Sequence, residues 1–542
     1  MRKQIGYIIT TIAILIGNPV VSQKPMQQLD LDADKNWWAG IISMGEMMPL
    51  SNSLTIDMYG NNYGNQVQPL LLSDAGDVVW SETPFQFSYE NGKLVAIGDY
   101  GTIAHHKAGK SLKEAFQYAN ANYFNASRRM PSEAFFRVPQ YNTWIELTYN
   151  QNQKDILEYA HNIIKNGMPP GILMIDDNWQ EDYGTWAWHP GRFPDPKAMM
   201  EELHQLGFKV MLWVCPFVSP DSATFREMAQ KDLFITSKSV EEDKAGLPTE
   251  LPKRHRPKMI QWWNGVSAVL DLSNPDAVAW FKKTLDFLQS EYGIDGFKFD
   301  AGDSSYYTQG ESVKPISANE HTRLFAKIGL DYPFNEYRAT WKMGGQPLIQ
   351  RLRDKKHTWE DLEKLVPQMG LAGIMGYPFS CPDMIGGGAF RSFLNDAEID
   401  QELIVRSAQS HALMPMMQFS VAPWRVLNET HLNAVLNAVK LREKFSDYIL
   451  KTAQESSRTG EPILRLLEYT YPHSGYANVK DQFLLGDTLL VAPVLEKGAT
   501  KRKVDIPPGK WRSFTGKTIK GPKKITVSVG LDDLPYFEKL NL

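Results

Sequence analysis

The run Gly293-Ile294-Asp295-Gly296-Phe297-Lys298-Phe299-Asp300-Ala301-Gly302-Asp303 places a carboxylate at the end of a short apolar stretch. Ile294, Phe297 and Phe299 fit a strand buried on both faces, as in a parallel barrel, and Ala301-Gly302 lets a ligand approach the backbone. Lys298 precedes Asp300 by two, so on a strand both side chains point into the barrel, where a cation is costly unless a carboxylate or ligand answers it. Taken alone, Asp300 also reads as a cap for the next helix. Met174-Ile175-Asp176-Asp177-Asn178-Trp179 gathers two carboxylates and an indole at one place, a set suited to gripping hydroxyls while an aromatic face covers an apolar one; a turn or helix cap is the competing reading. Retaining hydrolysis of an acetal needs a nucleophilic carboxylate and an acid held about 5 Å apart. Arg351-Leu352-Arg353-Asp354 supplies a second acid, although an Arg–Asp pair is equally at home in a surface salt bridge.

The elements that must position these residues follow from periodicity. Between about 25 and 135, short alternating segments such as 54–59 and 85–89 are separated by Gly/Asn/Asp turns, including Asn91-Gly92, which predicts an antiparallel β-sandwich. From about 136, apolar strands alternate with helical stretches, the pattern of parallel βα units. Strands are expected at 143–147, 171–175, 209–215, 296–299, 337–341, 348–352, 372–377 and 412–419, which fits a (β/α)8 TIM barrel with chemistry at its carboxy-terminal rim. Helices are expected at 153–166, 195–206, 274–292, 317–330, 359–369 and 397–411. The stretch 218–272 is too long for an ordinary loop and reads as an inserted subdomain at the mouth, its basic run Lys253-Arg254-His255-Arg256-Pro257-Lys258 as a solvated loop. After a long helix near 430–456, a second β-rich region reaches the C-terminus. The expected organisation is a leader over 1–23, a β-sandwich over 24–135, a barrel over 136–458 and an antiparallel β-domain over 459–542.

Length and composition agree: 542 residues suggest more than one domain, and 43% hydrophobic with 22% charged residues is an ordinary globular balance. A formal charge of −4 leaves no basic surplus for phosphates, which argues against nucleic acid as a partner. Arg2 and Lys3 ahead of the apolar run 5–16, with small residues before Gln23, form a secretory signal pattern, and the run is shorter than the ~20 residues of a membrane span. Export to a bacterial periplasm or exterior is therefore expected. The two cysteines, Cys215 and Cys381, either pair or remain buried thiols. The 11 histidines lack a His-x-His or His-Glu-x-x-His grouping, so no metal or other cofactor is implied. Oligomeric state is not written in the sequence.

The chain resembles glycoside hydrolase family 31 over roughly 40–515. The likeness rests on Trp186-Ala187-Trp188-His189-Pro190-Gly191-Arg192-Phe193-Pro194-Asp195-Pro196, on Trp262-Trp263-Asn264-Gly265 through Asp271, and on Leu485-Gly486-Asp487-Thr488 through Val494. It implies Asp300 as nucleophile. The family's spacing of sixteen residues from a substrate-gripping arginine to the acid/base, and five more to a tryptophan, selects Arg338, Asp354 and Trp359. Asp383, in Cys381-Pro382-Asp383-Met384-Ile385-Gly386-Gly387-Gly388, resembles a sugar-contacting aspartate, and the glycines there are a loop device because no Gly-Lys-Ser/Thr follows.

Where family α-glucosidases show Trp-x-Asp-Met-x-Glu, this chain has Lys298-Phe299-Asp300-Ala301-Gly302-Asp303, and Met416-Met417-Gln418 stands in place of a histidine after the eighth strand. Asp-Asp-x-Trp with Lys-x-Asp is similar to the grip of α-galactosidases on an axial hydroxyl. The resemblance thus implies an exo-acting retaining α-galactosidase acting by double displacement, with Asp354 held neutral more readily than Asp300. Asp176, Asp177, Lys298, Arg338, Arg351 and Asp383 are expected to bind the sugar, with Trp179 and Trp213 as walls. The alternatives are an α-xylosidase or α-glucosidase of the same family, a transglycosylase, or a non-catalytic carbohydrate-binding barrel.

Overall fold

The computed structural model describes residues 26–32, 34–90, 92–237, 256–395 and 399–540. The expected leader, Asn91 of the expected turn and Lys253–His255 of the basic run lie outside the described residues.

Eight parallel strands follow one another in chain order around a barrel: β1 (Gln140–Asn142), β2 (Ile172–Ile175), β3 (Lys209–Val214), β4 (Gly296–Phe299), β5 (Phe334–Tyr337), β6 (Gln350–Arg351), β7 (Ser380–Cys381) and β8 (Gln418–Phe419). β8 pairs back onto β1, and a single parallel bridge from Met384 to Gln418 spans the gap between β7 and β8. Every residue of β2 and β4 is buried, as their unbroken apolar character requires when helices cover the outside and side chains fill the inside.

Local signals set the helix ends. Asn274 accepts a hydrogen bond from the Asp276 amide at 3.0 Å and Pro275 opens the following helix, which stops at Gly293 in the left-handed region, φ 72°. The helices at Gln153–Lys165 and Pro196–Gln205 start at Asn152 and Asp195, whose side chains accept from Asp155 and Ala198.

Four expected strands are displaced. The strand expected at 337–341 lies at Phe334–Tyr337, and Thr340–Trp341 pairs with an amino-terminal strand instead. Residues Trp144–Leu147 form a helical turn after β1 rather than the first strand. The run 372–377 ends and follows a helix, Leu365–Ile374, every residue of which is buried; apolar but for Gln368, the helix has no polar face to give a 3.6-residue period, so it reads like a buried strand. Likewise 412–417 completes and follows the helix Gln401–Ala412, leaving only Gln418–Phe419 as strand. The helix expected over 359–369 divides at Lys364 into Trp359–Glu363 and Leu365–Ile374, with Pro367 in the first turn of the second.

The amino-terminal region forms two antiparallel sheets, one with strand order Met26–Asp32, Lys93–Asp99, Phe85–Glu90, Leu54–Asp57, the other Trp37–Ile41, Gln66–Ser73, Asp77–Ser81, Ile103–Lys107. Thr340–Trp341, just past β5, joins the second sheet by pairing in parallel with Gln66 and Val67. The carboxy-terminal domain is a six-stranded antiparallel sheet built around Val504, Ile506, Trp511 and Phe537. The insertion contains a helix at Ala223–Gln230 and a hairpin, Met259–Trp262 with Gly265–Val269, whose turn brings Trp263 to the cavity at the barrel mouth. Lys258 departs from the solvated expectation: its ammonium is half-buried and donates to the carbonyls of Tyr306, at 2.6 Å, and Thr308. Cys215 and Cys381 are both buried free thiols.

Candidate active site

The strand ends converge on a cavity of about 220 Å³ lined by Asp176, Asp177, Lys298, Asp300, Arg338, Arg351 and Asp354, with Trp144, Tyr149, Trp213, Trp263 and Phe390 among its walls. Asp300 and Asp354 therefore face one space, although 54 residues separate them in the chain. Register explains the lower layer: Trp213, Lys298 and Glu336 are partners across β3, β4 and β5, so their side chains share the barrel interior.

Asp300 is fixed at both oxygens. Oδ1 accepts from Arg338 Nε at 2.8 Å and from the Ala301 amide at 2.7 Å; Oδ2 accepts from Trp213 Nε1 at 3.1 Å. Burial alone raises a carboxyl, but Arg338, Lys298 and Arg351 outweigh it and hold Asp300 well below the usual carboxylate range. Arg338 is itself anchored by Asp303, at 2.5 Å from Nη2, and by the Gly64 carbonyl, at 2.8 Å. Lys298 donates to Asp176 at 2.6 Å, so the buried ammonium has its answering carboxylate.

Asp177 accepts from the Asn178 amide at 2.7 Å, from Tyr183 at 3.0 Å and from the Asn264 amide. Burial first, then the charge of Asp176, nevertheless push its carboxyl up to about 7. Arg351 Nη1 donates to Asp354 at 2.8 Å and to Asp383 at 2.6 Å, and its Nε lies 3.4 Å from Glu336.

Asp354 is held low as well: burial raises it, but Arg351 and Lys298 outweigh burial and leave it below the ordinary range. Its side chain is 44% exposed, whereas Arg351 behind it is 2% exposed.

Two expected sugar contacts lie behind the wall. Trp179 is wholly buried, donates its indole N–H to the Trp213 carbonyl at 2.8 Å and packs on Trp186 and Trp188. Asp383 is 0% exposed; it accepts from Arg351 and from the Lys355 and Gly388 amides, and so orients Arg351 rather than lining the cavity. Burial is the first influence on it and raises its carboxyl. The walls the sequence missed are Trp144, Tyr149, Trp263 and Phe390, aromatic residues on loops or single helical turns too short for a periodicity to betray them.

Sequence reasoning also missed the amino-terminal contribution. The Asn65 and Gln66 amides donate to the carbonyl oxygens of Arg338 and Arg351 at 2.8–3.1 Å, and Asn62 donates to Asp303 at 3.1 Å. Glu336, 0% exposed between Lys298 and Arg351, accepts from Gln418 at 2.7 Å; the acidic residue just before Tyr337 on an expected strand was its only signal. Asn178, Ala301 and Asp383 all adopt positive φ, 70°, 56° and 84°, immediately beyond strand ends, and left-handed backbone of this kind, costing ~1 kcal/mol per residue, gathers at functional sites. Among the described residues, one grouping of potential metal ligands, Asp74, Glu468 and His473, has ligand atoms within 4.8 Å of one another, and none of the three lines this cavity.

A parallel barrel flanked by these two β-domains, with carboxylates and cations gathered on its carboxy-terminal rim, defines a multidomain TIM-barrel protein. The family model for the glycosyl hydrolase family 31 TIM-barrel domain matches residues 139–452, and that for the family 31 C-terminal domain matches 460–541. The chain belongs to glycosyl hydrolase family 31. It is 34% identical over 442 residues to the mouse myogenesis-regulating glycosidase, covering 79% of this chain and 60% of that protein, and 24% identical to alpha-glucosidase 2 of Bacillus thermoamyloliquefaciens, covering 84% and 59%. The chain thus spans less than two thirds of either relative. In fold it matches an α-xylosidase from a soil metagenome, solved with xylose, at a TM-score of 0.80 and 20% identity, covering 96% of this chain and 80% of that one.

Proposed function

We propose that this protein is an exo-acting α-glycoside hydrolase that works by double displacement with net retention. The observation that carries this is the shared cavity: Asp300, ionised and locked by Arg338, Trp213 and the Ala301 amide, faces the same small space as the part-exposed Asp354. Asp300 attacks the anomeric carbon and expels the aglycone oxygen, which takes a proton from Asp354. Asp354 then removes a proton from water as that water displaces Asp300. A sugar ring in the cavity covers the exposed side of Asp354, and loss of water raises a carboxyl, so the proton the first step needs is acquired on binding. A space of about 220 Å³ suits one terminal sugar rather than a chain passing through.

The relatives' names favour glucose or xylose as the glycone over the galactose that the sequence pattern implies. One observation supports galactose as a second reading: Asp176 with Lys298, and Asp177, line the cavity together and replace the glucosidase-type motif. Turnover of p-nitrophenyl α-glucoside, α-xyloside and α-galactoside by the wild type and by Asp300→Ala decides among them. Hydrolysis of none of the three, or full activity in Asp300→Ala, contradicts the proposal. Export, expected from residues 1–23, is part of the same proposal, and a mature protein beginning near residue 24 in N-terminal sequencing supports it.

A further inference from the structure

The longest strands of the molecule, Lys501–Ser513 and Thr518–Ser528, form an antiparallel ribbon at one edge of the carboxy-terminal sheet. Between 501 and 528 there are nine Lys or Arg residues against a single Asp, a local charge of +8 in a chain whose formal charge is −4, which leaves −12 for the rest. The register sorts these side chains by face. Val504, Ile506 and Trp511 point into the domain core. The opposite face carries Lys501, Lys503, Lys510, Arg512, Lys520 and Lys524, all exposed, interleaved with Asp505, Thr518, Thr526 and Ser528. Only Lys524 and Arg512 of the six have carboxylate partners among the described residues, Asp505 at 3.1 Å and Glu538 at 2.9 Å.

Lysines on an edge strand commonly prevent two sheets from pairing edge to edge. That role accounts for Lys520 and Lys524 on Thr518–Ser528, none of whose residues is buried. It does not account for Lys501, Lys503, Lys510 and Arg512 on the strand one position further in. Nor does it account for Lys510 standing directly opposite Lys520, since like charges across a ladder are destabilising. Neighbours on this face lie ~7 Å apart along a strand and ~5 Å across, so the ribbon carries closely spaced cations, of which Lys501 and Lys503 at one end also line a cavity with Glu46, Glu360, Glu363, Asp481 and Glu496.

We propose that this face binds an anionic polysaccharide, a polymer with one carboxylate on each sugar, and so holds the enzyme on a glycan. The choice of a glycan rests on the glycosidase reading; the charge array does not. The face has no aromatic or amide side chain to stack on bases or read their edges, and no exposed large apolar residue to enter a lipid surface. The acidic remainder of the molecule confines attraction for a polyanion to this patch.

The experiment is retention of the full chain on immobilised polygalacturonate, with neutral dextran, immobilised duplex DNA and vesicles of anionic phospholipid run in parallel, for wild type and for Lys503→Gln/Lys510→Gln/Lys520→Gln. The wild type is expected to bind polygalacturonate alone, with affinity falling steeply with salt. The triple variant, whose thermal midpoint should be unchanged or higher because the Lys510–Lys520 repulsion is gone, is expected to lose at least tenfold in affinity. Wild type that passes through polygalacturonate unretained, equal retention of the variant, or DNA or vesicles held to the same salt concentration would each overturn the proposal. Turnover is not read, so failure here and failure of the glycosidase reading are separable.

Discussion

At the scale of single residues, the site is a problem in placing charge. Three cations, Lys298, Arg338 and Arg351, are set among Asp176, Asp177, Asp300, Asp303, Asp354, Asp383 and Glu336, so carboxylates outnumber them. Asp300 has the strongest claim on positive charge, which keeps it ionised and nucleophilic. Removing the Asp354 carboxyl takes away only the proton donor and acceptor, so Asp354→Ala should lose ~10²–10⁴-fold on glycosides with poor leaving groups. The same variant should lose much less on glycosyl fluorides, whose leaving group needs no proton; equal losses on both, in steady-state kinetics, would count against its role.

Asp177 titrates in the working range. Its folded value, about 7, lies above the ordinary carboxyl value near 4. The folded state therefore holds a proton that the unfolded chain has lost between those limits. The stability this contributes is fully present below about 4 and is lost as pH rises to about 7. Once ionised, Asp177 accepts hydrogen bonds from sugar hydroxyls without donating, so inhibition by the free glycone should strengthen as pH rises through about 7, a dependence that Asp177→Asn abolishes. Measured inhibition constants from pH 5 to 9 check this.

Elements hand these residues to the site, and they were legible to different degrees. β4 was read in full because its two-sided burial leaves an unbroken apolar signature ending in Asp300, and β2 was read for the same reason. β6, β7 and β8 are two residues long each, too short for any period: the expected strands 348–352 and 412–419 contain β6 and β8 but overrun them, and β7 was missed, with Asp383 alone marking its rim. Asn62, Asn65 and Gln66 were invisible because a polar segment in one domain gives no sign that its amides serve the Asp303 carboxylate and the Arg338 and Arg351 carbonyls more than 200 positions away. Asn62→Ala leaves a donor to Asp303 missing and the Ser304 amide unanswered; it should destabilise by ~1–3 kcal/mol in denaturant unfolding and reduce kcat/KM through a loosened Arg338.

The glycine run beyond β7 is explained by close approach. A Cβ on Gly388 would sit 2.9 Å from the Asp354 and Asp383 carboxyl oxygens, and Gly387 has φ +105°. Gly388→Ala should therefore displace the acid/base and lower kcat with a smaller change in KM, as read from initial rates.

At the scale of the whole molecule, the barrel does not complete its own rim: Thr340–Trp341 extends an amino-terminal sheet, and the Gly64 carbonyl holds Arg338. The expectation of a β-domain before the barrel was legible from alternation; its participation in the site was not, since contacts between distant segments leave no local period. Acid should act on the whole molecule through its depressed carboxyls. Asp77, buried yet held low by Ser73, Lys107, His105 and Lys35, and Asp300 both stabilise the fold above the unfolded value near 4, and that contribution is lost as pH falls below it. Thermal midpoints should accordingly fall below about pH 4. The claim on which the rest depends is that two aspartates from β4 and the loop after β6 act in succession on one acetal. Proton NMR of the first sugar released from an α-glycoside, recorded before mutarotation, tests it most directly: the account predicts the α-anomer, and initial release of the β-anomer would contradict it.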